Sequence, residues 1–292
     1  MVVTVTIGLL SAMLYALHDL VAQNVSRRFG VVRVLCWIVP VGAVIVVPVA
    51  LLVDGMPAGA AQWLAVAYCA GAGACYLATW FTMLRALTVG NLSLVAPLSS
   101  LDGLIVALAG IAAGESVTPL LGVGVALAVV GGLLTATEGR ARSTAGAVWA
   151  LLTGVLWASA MLLFNEAGEL SWLSQTAWSR ATGLILFVPV AVAVLRRERS
   201  PSAGRTSASR RRLGPAGAAI CLGAGLLELL GLLAMTMAIR RGPLMIAGVT
   251  IAQYATATVL LGLFLLGERP RRHQVIGVGC TLVAVSLLST AG

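Results

Sequence analysis

Long apolar stretches separated by short polar breaks run from one end of the chain to the other. A run of about 20 apolar residues is what an α-helix needs to cross roughly 30 Å of hydrocarbon. Cutting at charges, Gly/Pro clusters and polar runs gives ten such spans: 4–24, 31–53, 61–84, 91–113, 119–136, 145–165, 173–195, 214–239, 244–266 and 273–290. The segment that reads as a linker is 196–213, RRERSPSAGRTSASRRRL, rich in Arg, Ser and Gly. In hydrocarbon every backbone polar group must be satisfied within its own segment, so such spans read as helices. The pattern predicts an all-α membrane protein with ten transmembrane helices. No basic charge precedes the first apolar run, so a cleaved secretory signal is not expected and the first helix should stay in the mature protein.

Composition supports this class. The 292 residues are 60% hydrophobic and 10% charged, whereas a soluble domain is about 45–50% apolar and about 25% charged. A soluble enzyme, a disordered chain and a collagen-like chain are excluded. The net charge of +9 would ordinarily raise nucleic acid as a partner, but the distribution of charge argues otherwise. Sixteen of the nineteen Arg fall in the loops after spans 1, 3, 5, 7 and 9. Arg240 and Arg241 lie on the opposite side, and Arg180 lies near the start of span 7. The excess of positive charge in cytoplasmic loops puts the Arg-rich side inside and both termini outside. The surplus thus describes orientation and attraction to anionic headgroups, and nucleic acid is not needed to explain it. There is no Lys at all, a bias that points to a GC-rich bacterial gene and so to a plasma or inner membrane. The five Cys all sit inside spans at no metal-like spacing and read as small packing residues, so no metal or cofactor is expected.

The two halves of the chain resemble each other. ALTVG at 86–90 and AIRRG at 238–242 each close a long apolar span. Each is followed by a span ending in Gly-Glu, at Gly114-Glu115 and Gly267-Glu268, then a short polar stretch with a Pro and a Gly-rich helix (LLGVGVAL at 120–127, VIGVGCTL at 275–282). Leu14-Tyr15-Ala16 pairs with Leu156-Trp157-Ala158. This predicts a first five-helix repeat over 1–138, a connecting loop at 139–144 and a second repeat over 145–292. An odd number of crossings per repeat inverts the second relative to the first, the architecture of alternating-access carriers with cargo bound between the repeats.

With ten helices as five plus five, the duplicated Ala-(Leu/Ile)-x-x-Gly and the Gly-Glu closing spans 4 and 9, the chain resembles the EamA-type drug/metabolite transporters along essentially its whole length. The resemblance implies a single-chain secondary transporter, often an exporter of amino acids, metabolites or toxic compounds. Two features depart from the family pattern. Members often carry a Pro in the middle of span 9, where this chain has none. The family is also usually drawn with both termini in the cytoplasm, opposite to the Arg count.

An ionisable side chain inside a membrane helix is costly, and so marks a functional candidate. Glu228 is the most central, flanked by Leu-Leu on both sides; Asp102 and Asp19 are the other two acids deep in spans. A carboxyl that trades its proton as access alternates could couple cargo to proton flow, against the plainer reading of a protonated Glu bonded to a neighbouring helix. Asp102 follows Ser99 and Ser100 in PLSSLDG, where Pro97 frees a backbone carbonyl and broken helices tend to line cavities. His18 precedes Asp19; neighbours diverge by about 100° on a helix, so both cannot face one cavity, and Asp19 is read as pairing with an Arg near the interface. The family tends to place a polar residue where His18 stands.

Tyr15, Tyr76, Trp80, Trp157, Gln253 and Tyr254 could line a polar-aromatic cavity for an organic substrate, although packing is the simpler reading for any single aromatic. At the repeat separation of 152, Tyr76 corresponds to Glu228, which places both at the repeat interface. Glu115 and Glu268, beside Pro119 and Pro270, read as structural caps on exposed backbone N–H groups. Arg180 and Arg33 are read as snorkelling outward; with acids in the cavity and no buried Arg, cationic or zwitterionic cargo is favoured. Gly124, Ala128 and Gly132 form a small-residue stripe that suits packing within a monomer or across a homodimer. The rival readings are a membrane-embedded lipid- or prenyl-modifying enzyme and a passive channel or scaffold. The enzyme would need a metal-binding carboxylate cluster or a nucleophile with its base, and no DxxD, HExxH, GxSxG or CxxC occurs.

Overall fold

A computed structural model describes residues 1–29, 31–89, 98–99, 101–136, 146–199, 214–266 and 271–290. The first half contributes α1 (Val2–Phe29), α2 (Val31–Val53), α3 (Ala60–Val89), α4 (Asp102–Ala112) and α5 (Pro119–Ala136). The second contributes α6 (Ala147–Glu166), α7 (Trp172–Arg199), α8 (Pro215–Arg241), α9 (Leu244–Ile251), α10 (Tyr254–Leu266) and α11 (Arg272–Thr290). Among the described residues there is no strand, and nine segments are long and apolar enough to cross a membrane, with α9 and α10 together forming one of them. The shorter α4 lies within the fourth span. Large apolar side chains such as Leu52, Val148, Ile185 and Phe264 stand exposed on the outside of the bundle, as expected where the solvent is lipid.

The packing crosses from one half to the other. Helix α1 lies against α8 and α3 against α6, two contacts that interchange when the halves are exchanged; α2 packs on α7, α4 on α9 and α5 on α11. Equivalent helices run antiparallel. A Cβ on Gly124 would meet Leu288 and one on Gly131 would meet Thr281, while Gln274 Nε2 donates to the Thr135 carbonyl at 3.3 Å. The order along α5 is thus the reverse of the order along α11. The two backbones touch at Gly131 and Gly277, where a Cβ on either would sit 2.8 Å from the other's carbonyl oxygen. Small residues allow this approach where apolar burial between helices offers little driving force in lipid.

One predicted span is divided. The apolar run 244–266 forms two helices, with a turn at Ala252–Gln253, although it contains no Pro. Gln253 accounts for the break. Its backbone N–H donates to Thr250 O at 3.3 Å, one residue short of the α-helical partner. The partner thus vacated, Val249 O, is taken by Gln253 Nε2 at 3.2 Å, which also donates to Ala128 O of α5 at 2.9 Å. Gln253 Oε1 accepts from Thr256 and Thr281, so the turn is locked to α5 and α11. In the first half, α4 likewise starts at Asp102 after a turn at Leu101. Asp102 and Tyr254, the first residues of α4 and α10, have the same separation as Tyr76 and Glu228. The two turns also meet: a Cβ on Gly103 would lie 2.5 Å from the Ala252 methyl carbon.

Candidate functional site

Helix α8 carries Glu228 into the centre of the bundle, where the residue is 2% exposed. Its Oε1 accepts from Tyr76 Oη of α3 at 2.8 Å and from Arg180 Nη1 of α7 at 3.1 Å. The guanidinium also lies over the Tyr76 ring, 4.7 Å from its centroid, so the cation is held by a carboxylate and a π face together. Two glycines make this possible. Gly42 on α2 leaves room for the Arg180 stem, since a Cβ there would stand 3.1 Å from Cδ. Gly73 lets α3 touch the α7 backbone, because its Cβ would fall 2.3 Å from the Ser179 carbonyl oxygen. That contact lies one turn from Tyr76 and adjoins Arg180.

Arg180 corrects the sequence reading. It does not snorkel: it is 5% exposed and is the counter-ion of Glu228. Eight residues into α7, it lies about 12 Å from the helix start, too deep for its head to reach the interface readily. That depth was the signal available in the sequence. The premise that no Arg is buried therefore falls.

Aromatic residues surround the pair. Tyr15 meets Trp157 edge-on with ring centroids 5.3 Å apart, and Trp157 lies 5.1 Å from Tyr76. His18 stands edge-on to Trp80 at 5.6 Å. The ring of His18 is fully buried, with Nδ1 2.9 Å from the Ala224 carbonyl. A carbonyl can only accept, so Nδ1 carries the proton. Asp19 points elsewhere, its side chain 50% exposed, as the angle between successive helix positions requires. Among the described residues His18 Nε2 lies 4.0 Å from its Oδ1. Tyr254 packs against the same apolar cluster as Tyr15, Tyr76, Trp80 and Trp157.

Other candidates lie apart from this centre. Asp102 is 1% exposed at the start of α4 and keeps Oδ1 unbonded. Ser99 is buried, with its carbonyl against Gly154 of α6. Gln253 serves the turn between α9 and α10. Glu115 is a cap, but for a helix in the other half: its two carboxylate oxygens accept from Leu244 N at 2.5 Å and Met245 N at 2.9 Å, the start of α9. Ser100 and Glu268 lie outside the described residues. Among the described residues no group of three or more His, Cys, Asp or Glu is placed to hold a metal ion.

The cavity beside Tyr76, Trp80, Ser179, Arg180 and Glu228 measures about 20 Å³, room for about one water. The centre is closed in this conformation. A larger cavity of about 220 Å³ opens at one end of the bundle, lined by Asp54, Gln62, Glu169, Ser171 and Ser174. There Asp54 accepts from Ser174 Oγ at 2.6 Å and from Ser171 Oγ, tying the end of α2 to the start of α7.

Comparison with known proteins gives a family and a fold. The family described as "EamA-like transporter family" matches twice, over residues 3–137 and 144–290. A solved structure described as "Crystal structure of protein" is 15% identical, with a TM-score of 0.71 over 99% of both chains, a likeness of fold alone. No curated protein matches the chain.

Proposed function

From the premise that the chain belongs to the EamA-like transporter family, we propose that it exports a small metabolite, amino acid or drug-like compound by alternating access, in exchange for protons. The membrane-transporter class comes with the family; direction, coupling and cargo belong to the proposal. The observation that carries it is the buried Arg180–Glu228 pair, bonded to Tyr76 where the two halves meet. The antiparallel packing of equivalent helices supports inverted repeats, whose rocking about such a junction opens it to one side and then the other. Cargo occupies the parted centre while Glu228 is ionised and paired with Arg180. Once the halves part toward the outside, a proton taken up by Glu228 displaces the cargo, and the proton is given up when the site reopens to the cytoplasm, so the two move in opposite directions. Arg180, Tyr76, Tyr15, His18 and Asp19 lie within electrostatic reach of Glu228. A guanidinium beside a carboxylate suits a zwitterion better than a simple cation. The Arg-rich loops mark the cytoplasmic side.

The test uses proteoliposomes loaded with a total bacterial metabolite extract, with compounds leaving the lumen identified by mass spectrometry. The reading expects a small set of compounds to leave faster than from protein-free vesicles, and faster still when the outside is made acid. Efflux indifferent to the pH gradient overturns proton coupling. Efflux no different from protein-free vesicles overturns transport.

A further inference from the structure

Among the described residues, four buried hydrogen-bond donors of the centre have no partner of hydrogen-bonding geometry, Arg180 Nε, Arg180 Nη2, Tyr15 Oη and Trp157 Nε1, and the one unpartnered acceptor there is His18 Nε2. Buried polar groups are almost always satisfied, and each exception calls for an explanation. Arg180 spends Nη1 on Glu228. Nε and Nη2 form the side-on edge of the guanidinium, whose two parallel N–H bonds match the two oxygens of a carboxylate. Tyr15 lies within electrostatic reach of both Arg180 and Glu228. Its ring packs on Trp157, which in turn packs on Tyr76 under the guanidinium. The side chains that carry these groups thus pack in one cluster around the guanidinium. Arg180 Nε, Arg180 Nη2 and Trp157 Nε1 can only donate and Tyr15 Oη can donate as well as accept, so a carboxylate, which brings two oxygens with four lone-pair directions, matches the set better than a cation does.

We propose that the unused edge of Arg180, with Tyr15 Oη and Trp157 Nε1, is the receptor for a carboxylate group of the cargo. This rests on the transport reading above and adds the chemical group that the site holds. The carboxylate docks side-on, and Arg180 is then shared between the cargo and Glu228. The closed cavity of about 20 Å³ admits no such group, so docking belongs to a conformation in which the halves have parted.

The experiment measures thermal stability of the full chain in detergent with benzoate, benzylamine or benzyl alcohol, which share a ring and differ in the attached group. Benzoate is expected to raise Tm, with benzylamine and benzyl alcohol doing so less or not at all. Arg180→Lys keeps a charge for Glu228 but removes the side-on edge, so the benzoate effect should vanish. If that variant fails to fold, Tyr15→Phe and Trp157→Phe each remove one donor and should weaken benzoate binding about tenfold. Equal stabilisation by all three ligands, no stabilisation by benzoate, or a benzoate effect unchanged in every folded variant would overturn the proposal. Arg180-dependent benzoate binding in a protein that moves no solute would leave this site standing and overturn the transport reading instead.

Discussion

Tyr76 and Glu228 occupy the same position in the two repeats and are hydrogen-bonded to each other, Oη to Oε1, at 2.8 Å across 152 residues of chain. Tyr15 and Trp157, matched in the Leu-aromatic-Ala segments of the first helix of each repeat, also touch, with ring centroids 5.3 Å apart. When equivalent residues meet each other they lie near the axis that relates the repeats. That axis therefore passes through the most polar part of the bundle. The duplicated backbone carries different chemistry at the one level, phenol on one side and carboxylate on the other, and Arg180 joins them.

Removing one member of the ion pair should cost more than removing both. Glu228→Gln leaves a guanidinium buried without its counter-charge, and breaking such a pair costs about 3–5 kcal/mol. Arg180→Gln strands the carboxylate in the same way. The double variant strands neither charge and should recover much of the loss. Thermal melts of the two single variants and the double variant form the cycle; additive losses would mean that the two groups do not interact.

Close approach at Gly73 can be separated from glycine content in general. Gly73→Ala drives a Cβ into the Ser179 carbonyl and should destabilise by about 1–3 kcal/mol as α3 and α7 are pushed apart. Gly223→Ala and Gly279→Ala meet nothing within 4 Å and should be neutral or gain up to about 1 kcal/mol of helix propensity. Melting temperatures of the three variants check the contrast.

Glu115 should behave as a structural residue. Glu115→Ala removes both acceptors from the start of α9, a loss of about 1–2 kcal/mol. Glu115→Gln keeps one acceptor and should lose less. Both should retain Arg180-dependent benzoate binding once folded. Loss of that binding with unchanged stability would contradict the cap.

The Arg-rich segment 196–213 should be cleaved by trypsin in inside-out vesicles and protected in right-side-out ones. The opposite result would place both termini in the cytoplasm.

Helices and repeats were legible in the sequence because the bilayer imposes one length and one polarity on every span. Glu228 was legible for the same reason, since a lone acid amid leucines stands out. Arg180 was not. Its long stem allows snorkelling near a helix end; its place eight residues into the helix argued against that, but the carboxylate that turns the head inward lies on another helix, 48 residues on. The break at Gln253 was also hidden: it arises when a side-chain amide takes the Val249 carbonyl and bonds to α5, a partner remote in sequence. Glu115 was legible as a cap, but its helix lies in the other half of the chain, a contact that local sequence does not reveal.

Under the transport proposal, the Arg180–Glu228 centre moves the cargo. That claim is tested most directly by efflux from extract-loaded proteoliposomes containing either the wild-type chain or the folded Arg180→Gln/Glu228→Gln double variant. Compounds depleted by the wild type should stay in the lumen with the double variant. Depletion of the same compounds at the wild-type rate would contradict it.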